Sequence, residues 1–261
     1  MTSSQKVIKG FAIALAVIII VSVINLVFGI IVGFDNIFIK NENVTYETYE
    51  LTDFDNLNIN VSYSKINIKN GDTYKIEINN LTNYHISNDT LYIKDVKKFR
   101  VTNNNDIYVT LYIPYGKTFD DVSIDAGAGN IRIENLKADT LDLDMGAGKV
   151  TIENIEISSN TKVDGGAGNF EVQNGILADA TFKMGVVNVD INATINGRGK
   201  IDMGVGNLSL NLLDGVSNYK FDVNKGIGNV NIDGVRVGDG SYGNGDKLIS
   251  IDGGVGNINI H

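Results

Sequence analysis

The chain has 261 residues, including 29 Gly, one Pro, no Cys and no Trp, and its formal net charge is -9. Without Cys there are no disulfide staples, thiolate zinc sites or Cys nucleophiles, and His85 and His261 alone argue against a multi-His metal site. The acidic balance has the wrong sign for a general nucleic-acid binder, and abundant Gly with so little Pro is neither collagen nor a Pro-rich linker.

The first predicted element is a membrane segment. Residues 10–34 carry no charged side chain, and the run FAIALAVIIIVSVINLVFGIIVGF is 24 residues long. At ~1.5 Å per residue it can cross a hydrocarbon core of ~30 Å. Its only polar side chains are Ser22 and Asn25, so it has no polar face to offer solvent. A cleaved signal peptide would have a shorter apolar region ending in an A-x-A-like site, which Asn25 to Phe34 does not provide. The run therefore reads as an uncleaved signal-anchor. Lys6 and Lys9 precede it, and Asp35, Glu42, Glu47 and Glu50 follow. The positive-inside bias makes residues 1–9 a cytoplasmic N-terminus and puts the remainder outside, as a single-pass protein of the cell membrane. Residues 35–50 read as a short polar stalk.

Residues 51–121 read as strands of moderate regularity. Leu57 to Val61, Lys65 to Lys69, Tyr74 to Ile78 and Ile107 to Ile113 all alternate apolar and polar. Asn70-Gly71 is a turn signal, and Pro114 closes a strand where a missing N–H is tolerated. Tyr is concentrated in this region, either at strand edges or as a carbohydrate-stacking platform.

Residues 122–261 hold an internal repeat. A G-x-G-N corner, or a close variant, begins at Gly127, Gly146, Gly166, Gly185, Gly204, Gly226 and Gly254, at spacings of 19, 20, 19, 19, 22 and 28 residues. Thirteen of the 29 Gly belong to these corners. Three residues before each first Gly stands an apolar side chain: Ile124, Leu143, Val163, Phe182, Ile201, Val223 or Ile251. Four and six residues after it stand an apolar pair such as Ile131/Ile133 or Ile258/Ile260, with a polar residue between. Period-two alternation on both sides of a Gly turn makes each repeat a strand, a corner and a second strand. One such rung cannot bury its apolar face alone, so the repeat predicts an all-β, single-stranded β-solenoid of ~19-residue rungs following one N-terminal transmembrane helix. Seven rungs at ~4.8 Å make a stack of roughly 30–35 Å. Ser62-Tyr63-Ser64 fits the same frame with Ser in place of Gly.

The run from Ile107 through VTLYIPYGKTFDDVSIDAGAGNIRIENL to Leu136, followed by the G-x-G-N rungs, resembles the bacterial adhesin-like β-strand-repeat family DUF4097, which includes toastrack-type domains. The resemblance spans about residues 50–261. It implies a right-handed β-solenoid in the cell envelope, with no assigned catalytic residues to carry over. Some relatives are associated with envelope-stress regulation. The 22- and 28-residue spacings depart from the pattern and suggest irregular rungs near the C-terminal end.

Two features are candidate sites. Asp125, Asp144, Asp164, Asp202 and Asp252 form a column beside the corners, interrupted by Lys183 and Asn224, with Lys149 and Lys162 nearby. Hard oxygen ligands suit Ca2+, so the column is a weak Ca2+ candidate; the D-x-G-x-G-N order differs from the Ca2+-binding nonapeptide, and solvated Asp bonded to the turn amides is the preferred reading. The insertion Gly234 to Lys247 offers Arg236, Asp239, Tyr242, Asn244 and Asp246 as a possible binding loop, against a Gly-rich cap. The strand at Ile258 to Ile260 would expose a sheet edge unless the insertion or another chain covers it. No cofactor or catalytic residue is expected, because the acids repeat and form no single differentiated pair. The expected function is a membrane-anchored, non-catalytic surface module that binds envelope glycan or another surface protein, or serves as a structural part of the envelope. An envelope-stress regulator and a polysaccharide-active enzyme are the alternatives.

Overall fold

The computed structural model describes residues 45–96 and 107–261. The expected membrane segment 10–34 lies outside the described residues, and among the described residues no helix is long and apolar enough to cross a membrane. What they form is all β. The apolar positions of every corner repeat point inward and are buried, from Ile124 and Leu143 to Ile258 and Ile260. They belong to one continuous core that begins at Phe54. Burying an Ile, Leu or Phe side chain contributes roughly 1.5–3 kcal/mol, so the repeated inward column is the main source of cohesion.

The centre of the fold is β7 (Phe119–Val205), extended backbone that runs through successive corners. Consecutive rungs lie in parallel register: where β7 meets β8 (Leu208–Leu212), Val189 pairs with Leu208 and Ile191 with Leu210. The second Gly of each G-x-G sits at φ between +132° and +149°, from Gly129 to Gly256. A Cβ there would also lie 1.6–1.9 Å from a backbone oxygen of the adjacent rung. Both facts demand Gly. The exception is Val187, which closes its corner without a positive φ and is buried.

The rungs do not stack in chain order at either end. Near the N-terminal end, β2 (Asn56–Gly71) is an interior rung. On one side Leu57 pairs with Val122 and Ile66 with Ile131 of β7. On the other, Leu57 pairs with Leu91 of β5 (Thr90–Asp95) and Ile66 with Val109 of β6 (Ile107–Pro114). The corner position of β2 is held by Ser62-Tyr63-Ser64, opposite Gly127 and Gly129. Antiparallel strands then cover the outer rung. These are β4 (Thr82–Ser87) on β5, β3 (Lys75–Asn79) on β6, and β1 (Tyr46–Glu50) on β3. The last five residues of the expected stalk are therefore strand β1. Tyr49 packs against the core, which gives that segment a reason to stay on the sheet.

The other end repeats the arrangement. The rung of Gly254 comprises β13 (Lys247–Val255) and β14 (Ile258–Ile260). It lies between the rung of Gly204 and that of Gly226, the latter made by β9 (Tyr219–Asn224) and β10 (Val230–Ile232). Ile251 pairs with Ile201 on one side and Val223 on the other, and Ile258 pairs with Leu208 and Val230. The irregular spacings have this cause. After Gly204 the chain crosses a single 3-10 turn at Val216–Asn218, skips one level, and returns later to fill it. Within the insertion, β11 (Val235–Val237) and β12 (Gly240–Tyr242) pair antiparallel with β10 and β9. The strand at Ile258 to Ile260 is interior, and the insertion is the cap.

Candidate functional site

The register sets the true order of the acidic column. Along the stack it runs Asn60, Asp125, Asp144, Asp164, Lys183, Asp202, Asp252 and Asn224, because Asp252 pairs with both Asp202 and Asn224. An amide flanks the acids at each end, with Lys94 of β5 next beyond Asn60. Asn60 Nδ2 donates to Asp125 Oδ2 at 3.1 Å, and Asn224 Nδ2 donates to Asp252 Oδ1 at 3.0 Å. Lys162 Nζ stands beside the column, 3.2 Å from Asp164 and 2.9 Å from Asp142. Asp144 has no such cation in hydrogen-bond reach among its neighbours on the ladder. Its side chain is exposed, yet partial desolvation on the ladder raises its carboxyl above the usual range, and the charges of Asp125 and Asp164 raise it further against the opposing pull of Lys162. The column borders an open groove of about 470 Å³ lined also by Gly146, Gly166 and Gly185. Among the described residues, no group of three or more His, Cys, Asp or Glu side chains is arranged to hold a metal ion.

The five insertion residues do not converge. Tyr242 pairs across from Phe221, and its hydroxyl accepts from the Gly238 amide at 3.1 Å. Asp239 Oδ1 accepts from the Lys225 amide at 2.8 Å. Both residues hold the cap in place. Arg236, opposite Asn231 on β11, faces solvent, as do Asn244 and Asp246.

The sequence reading missed two polar clusters, one at each end. At the C-terminal end Tyr219 is fully buried. Its hydroxyl donates to Asp214 Oδ1 at 2.6 Å and accepts from the Ile195 amide at 3.0 Å. Lys247 Nζ lies 2.7 Å from Asp214 Oδ2, 3.1 Å from Asn196 Oδ1 and 5.3 Å from the Tyr219 ring centre. Burial would raise the Asp214 carboxyl, but the bonds from Lys247 and Tyr219 prevail and hold it below its usual range. Burial, reinforced by the bond to Asp214, pushes the Tyr219 hydroxyl well up. The signal was present in the sequence as an aromatic residue at an inward position beside the long spacing. At the other end, Lys117 Nζ bridges Asp53 at 3.1 Å and Asp55 at 2.7 Å. It lies over the rings of Tyr74 and Phe119. Burial works against its charge, and the bonds to Asp55 and Asp53 overcome that effect and raise it. The tyrosines near this end pair mainly with one another: Tyr46 with Tyr108, Tyr49 with Tyr84, and Tyr92 with His85.

Rungs held by Gly corners, with antiparallel caps and polar clamps at both ends, define a stacked all-β domain of the Toastrack type. The Toastrack DUF4097 family matches residues 35–261, and the chain belongs to it. The fold is similar to that of a candidate adhesin from Bacteroides fragilis at 15% identity, with 85% of this chain and 98% of that one covered and a TM-score of 0.43. It is also similar to a candidate cell adhesion protein from Clostridium sporogenes at 19% identity, covering 84% and 99%, with a TM-score of 0.37. A third similar structure is a candidate lipid binding protein from Parabacteroides distasonis at 16% identity, covering 85% and 98%, with a TM-score of 0.35. No curated protein matches the chain.

Proposed function

We propose that the protein is a non-catalytic surface module of the cell envelope, anchored by residues 10–34 and presenting the capped stack outside the membrane to envelope glycan or another surface protein. One observation carries this reading: the ionisable side chains of the fold are arranged as ladders and end clamps. The acids of the column are near-equivalents repeated from rung to rung, whereas acid–base chemistry needs two groups with opposed environments in one site. Membership of the Toastrack family agrees with this reading, as does the 24-residue uncharged run.

The test is a capture experiment with the tagged full chain in detergent against solubilised envelope, paired with a glycan array. Retrieval of a defined glycan or surface protein is the expected result. Specific cleavage of an envelope polysaccharide that is lost on substituting a single Asp would replace this reading with an enzymatic one.

A further inference from the structure

The polar cluster at the C-terminal end holds a nucleophile against an amide. Lys247 Nζ is 3.1 Å from the Asn196 carboxamide oxygen and 2.7 Å from Asp214 Oδ2. The amide carbon lies one C=O bond of about 1.2 Å from that oxygen. A small turn of the amide brings it to the ~3–3.5 Å at which reacting atoms are poised, and Asn196 is exposed, which leaves room for that turn. Asp214 is within the reach of a general base for the ammonium.

The fold holds all three groups in place. Lys247 opens β13, and its ammonium lies 5.3 Å from the centre of the Tyr219 ring. The Lys247 and Asp214 side chains are only 27% and 26% exposed, so the pair is largely desolvated. The Tyr219 hydroxyl accepts from the Ile195 amide at 3.0 Å, next to Asn196, and donates to Asp214 Oδ1 at 2.6 Å. On the far side of Asn196, the Arg198 amide donates to Asp179 Oδ1 at 2.9 Å. Lys162 shows the contrasting case: it bridges two carboxylates, Asp142 and Asp164, whose carbons resist an amine. Beside Lys247 a carboxamide stands where the second carboxylate would be.

We infer that Lys247 and Asn196 join in an intramolecular isopeptide bond, with Asp214 carrying protons from one nitrogen to the other. The ammonium gives a proton to Asp214 Oδ2, which frees the amine lone pair. That pair bonds to Asn196 Cγ while the C=O π pair moves onto Oδ1. The amide nitrogen collects the proton from Asp214 and a second one shed by Nζ. The Cγ–Nδ2 bond then breaks with its electrons going to nitrogen, and C=O re-forms. One Lys ammonium and one Asn amide become one secondary amide and one ammonium ion, and Asp214 is a carboxylate at start and finish. The ion pair in the structure is the reactant. It keeps the amine protonated, so the bond forms slowly after folding. The product ties the start of β13 to β7 across 51 positions of the chain, a covalent staple in a protein without Cys.

The test is the intact mass of the full chain, purified in detergent and followed over time at neutral pH. A species lighter by one ammonia accumulates. In it trypsin no longer cuts after Lys247, and a branched peptide joins Lys247 to Asn196. Lys247→Arg keeps the charge, but its guanidinium stays protonated and does not attack, so this chain forms no branched peptide. Asn196 precedes Gly197, and ring closure of the Asn onto the Gly amide also expels ammonia; that loss persists in Lys247→Arg and leaves Lys247 open to trypsin. Asp214→Asn cannot carry the proton and slows the reaction by roughly 100-fold or more; an unchanged rate would overturn the part given to Asp214. Full mass throughout in the unsubstituted chain would overturn the whole proposal. So would an ammonia loss that Lys247→Arg shares in full and that yields no branched peptide. The deciding readout is on the unsubstituted chain, so a folding defect in a variant does not obscure it.

Discussion

The acidic ladder shows how one side chain feels its place in a repeat. Asp144 stands between Asp125 and Asp164, while Lys162 is bonded to Asp142 and Asp164. Burial and the two flanking carboxylates raise its folded pKa above the unfolded one. Such a group binds protons more readily when folded, so it opposes folding above that pKa. The penalty fades as pH falls through the folded value. Asp144→Asn is therefore expected to raise the urea midpoint at about pH 7 only slightly, by less than about 1 kcal/mol, because the side chain is exposed and its repulsion is screened by solvent. The gain over the natural chain should shrink on acidification towards about pH 4, where a normal carboxyl titrates. Urea titrations of both chains across that range check it, and an unchanged or lower midpoint near neutrality would show that the ladder is relaxed by solvent. At this scale the sequence was highly informative. The inward apolar positions and the corner Gly residues could be read directly, because period two and the G-x-G spacing are local properties. The neighbours of Asp252 could not, because they depend on which rung lies beside it.

At the scale of elements, the departures from the 19-residue period carry the information. Leu213 to Asn218 takes the chain past an unfilled level, and the Asp214–Tyr219–Lys247 cluster binds that crossing to the segment that later fills it. Lys247 opens β13 and Tyr219 opens β9, so the cluster ties the two neighbouring rungs at their starts. Asp214→Ala removes the nearer acceptor of the buried Tyr219 hydroxyl, leaving it the Ile195 carbonyl at 3.2 Å, and leaves Lys247 without its counter-charge. Losing hydrogen bonds to a charged carboxylate costs roughly 1.5–3 kcal/mol. Asp214→Asn keeps an acceptor for the hydroxyl and should lose less. The pH dependence runs opposite to that of Asp144. The Asp214 carboxyl is held below its usual range, so its contribution is present above the unfolded pKa and disappears as pH falls through the folded one. Chemical denaturation of the three proteins at two pH values measures both effects, and equal losses for Ala and Asn would show that packing, not the hydrogen bond, dominates. The insertion reads as either a loop or a cap from sequence because its strands are only three residues long and pair antiparallel, a pattern too short to register as alternation.

At the scale of the whole described domain, threading both end regions changes what should open first. A solenoid built in chain order exposes its last rung and frays from there. Here the final rung is paired on both sides, and the outermost strands are β11 and β12 at this end and β1 and β4 at the other. Amides of Ile249 to Asp252 and Ile258 to Ile260 should therefore exchange with solvent as slowly as those of Leu143 to Ile152 in the middle of β7. Those of Val235 to Val237 and Gly240 to Tyr242 should exchange much faster, because each of these strands has a partner on one side only and spans three residues. Hydrogen exchange read by mass spectrometry on peptides covering 233–261 separates the two groups. If the final rung exchanged together with the cap, this end would be breathing as a unit, and its stability would come from the cap strands alone.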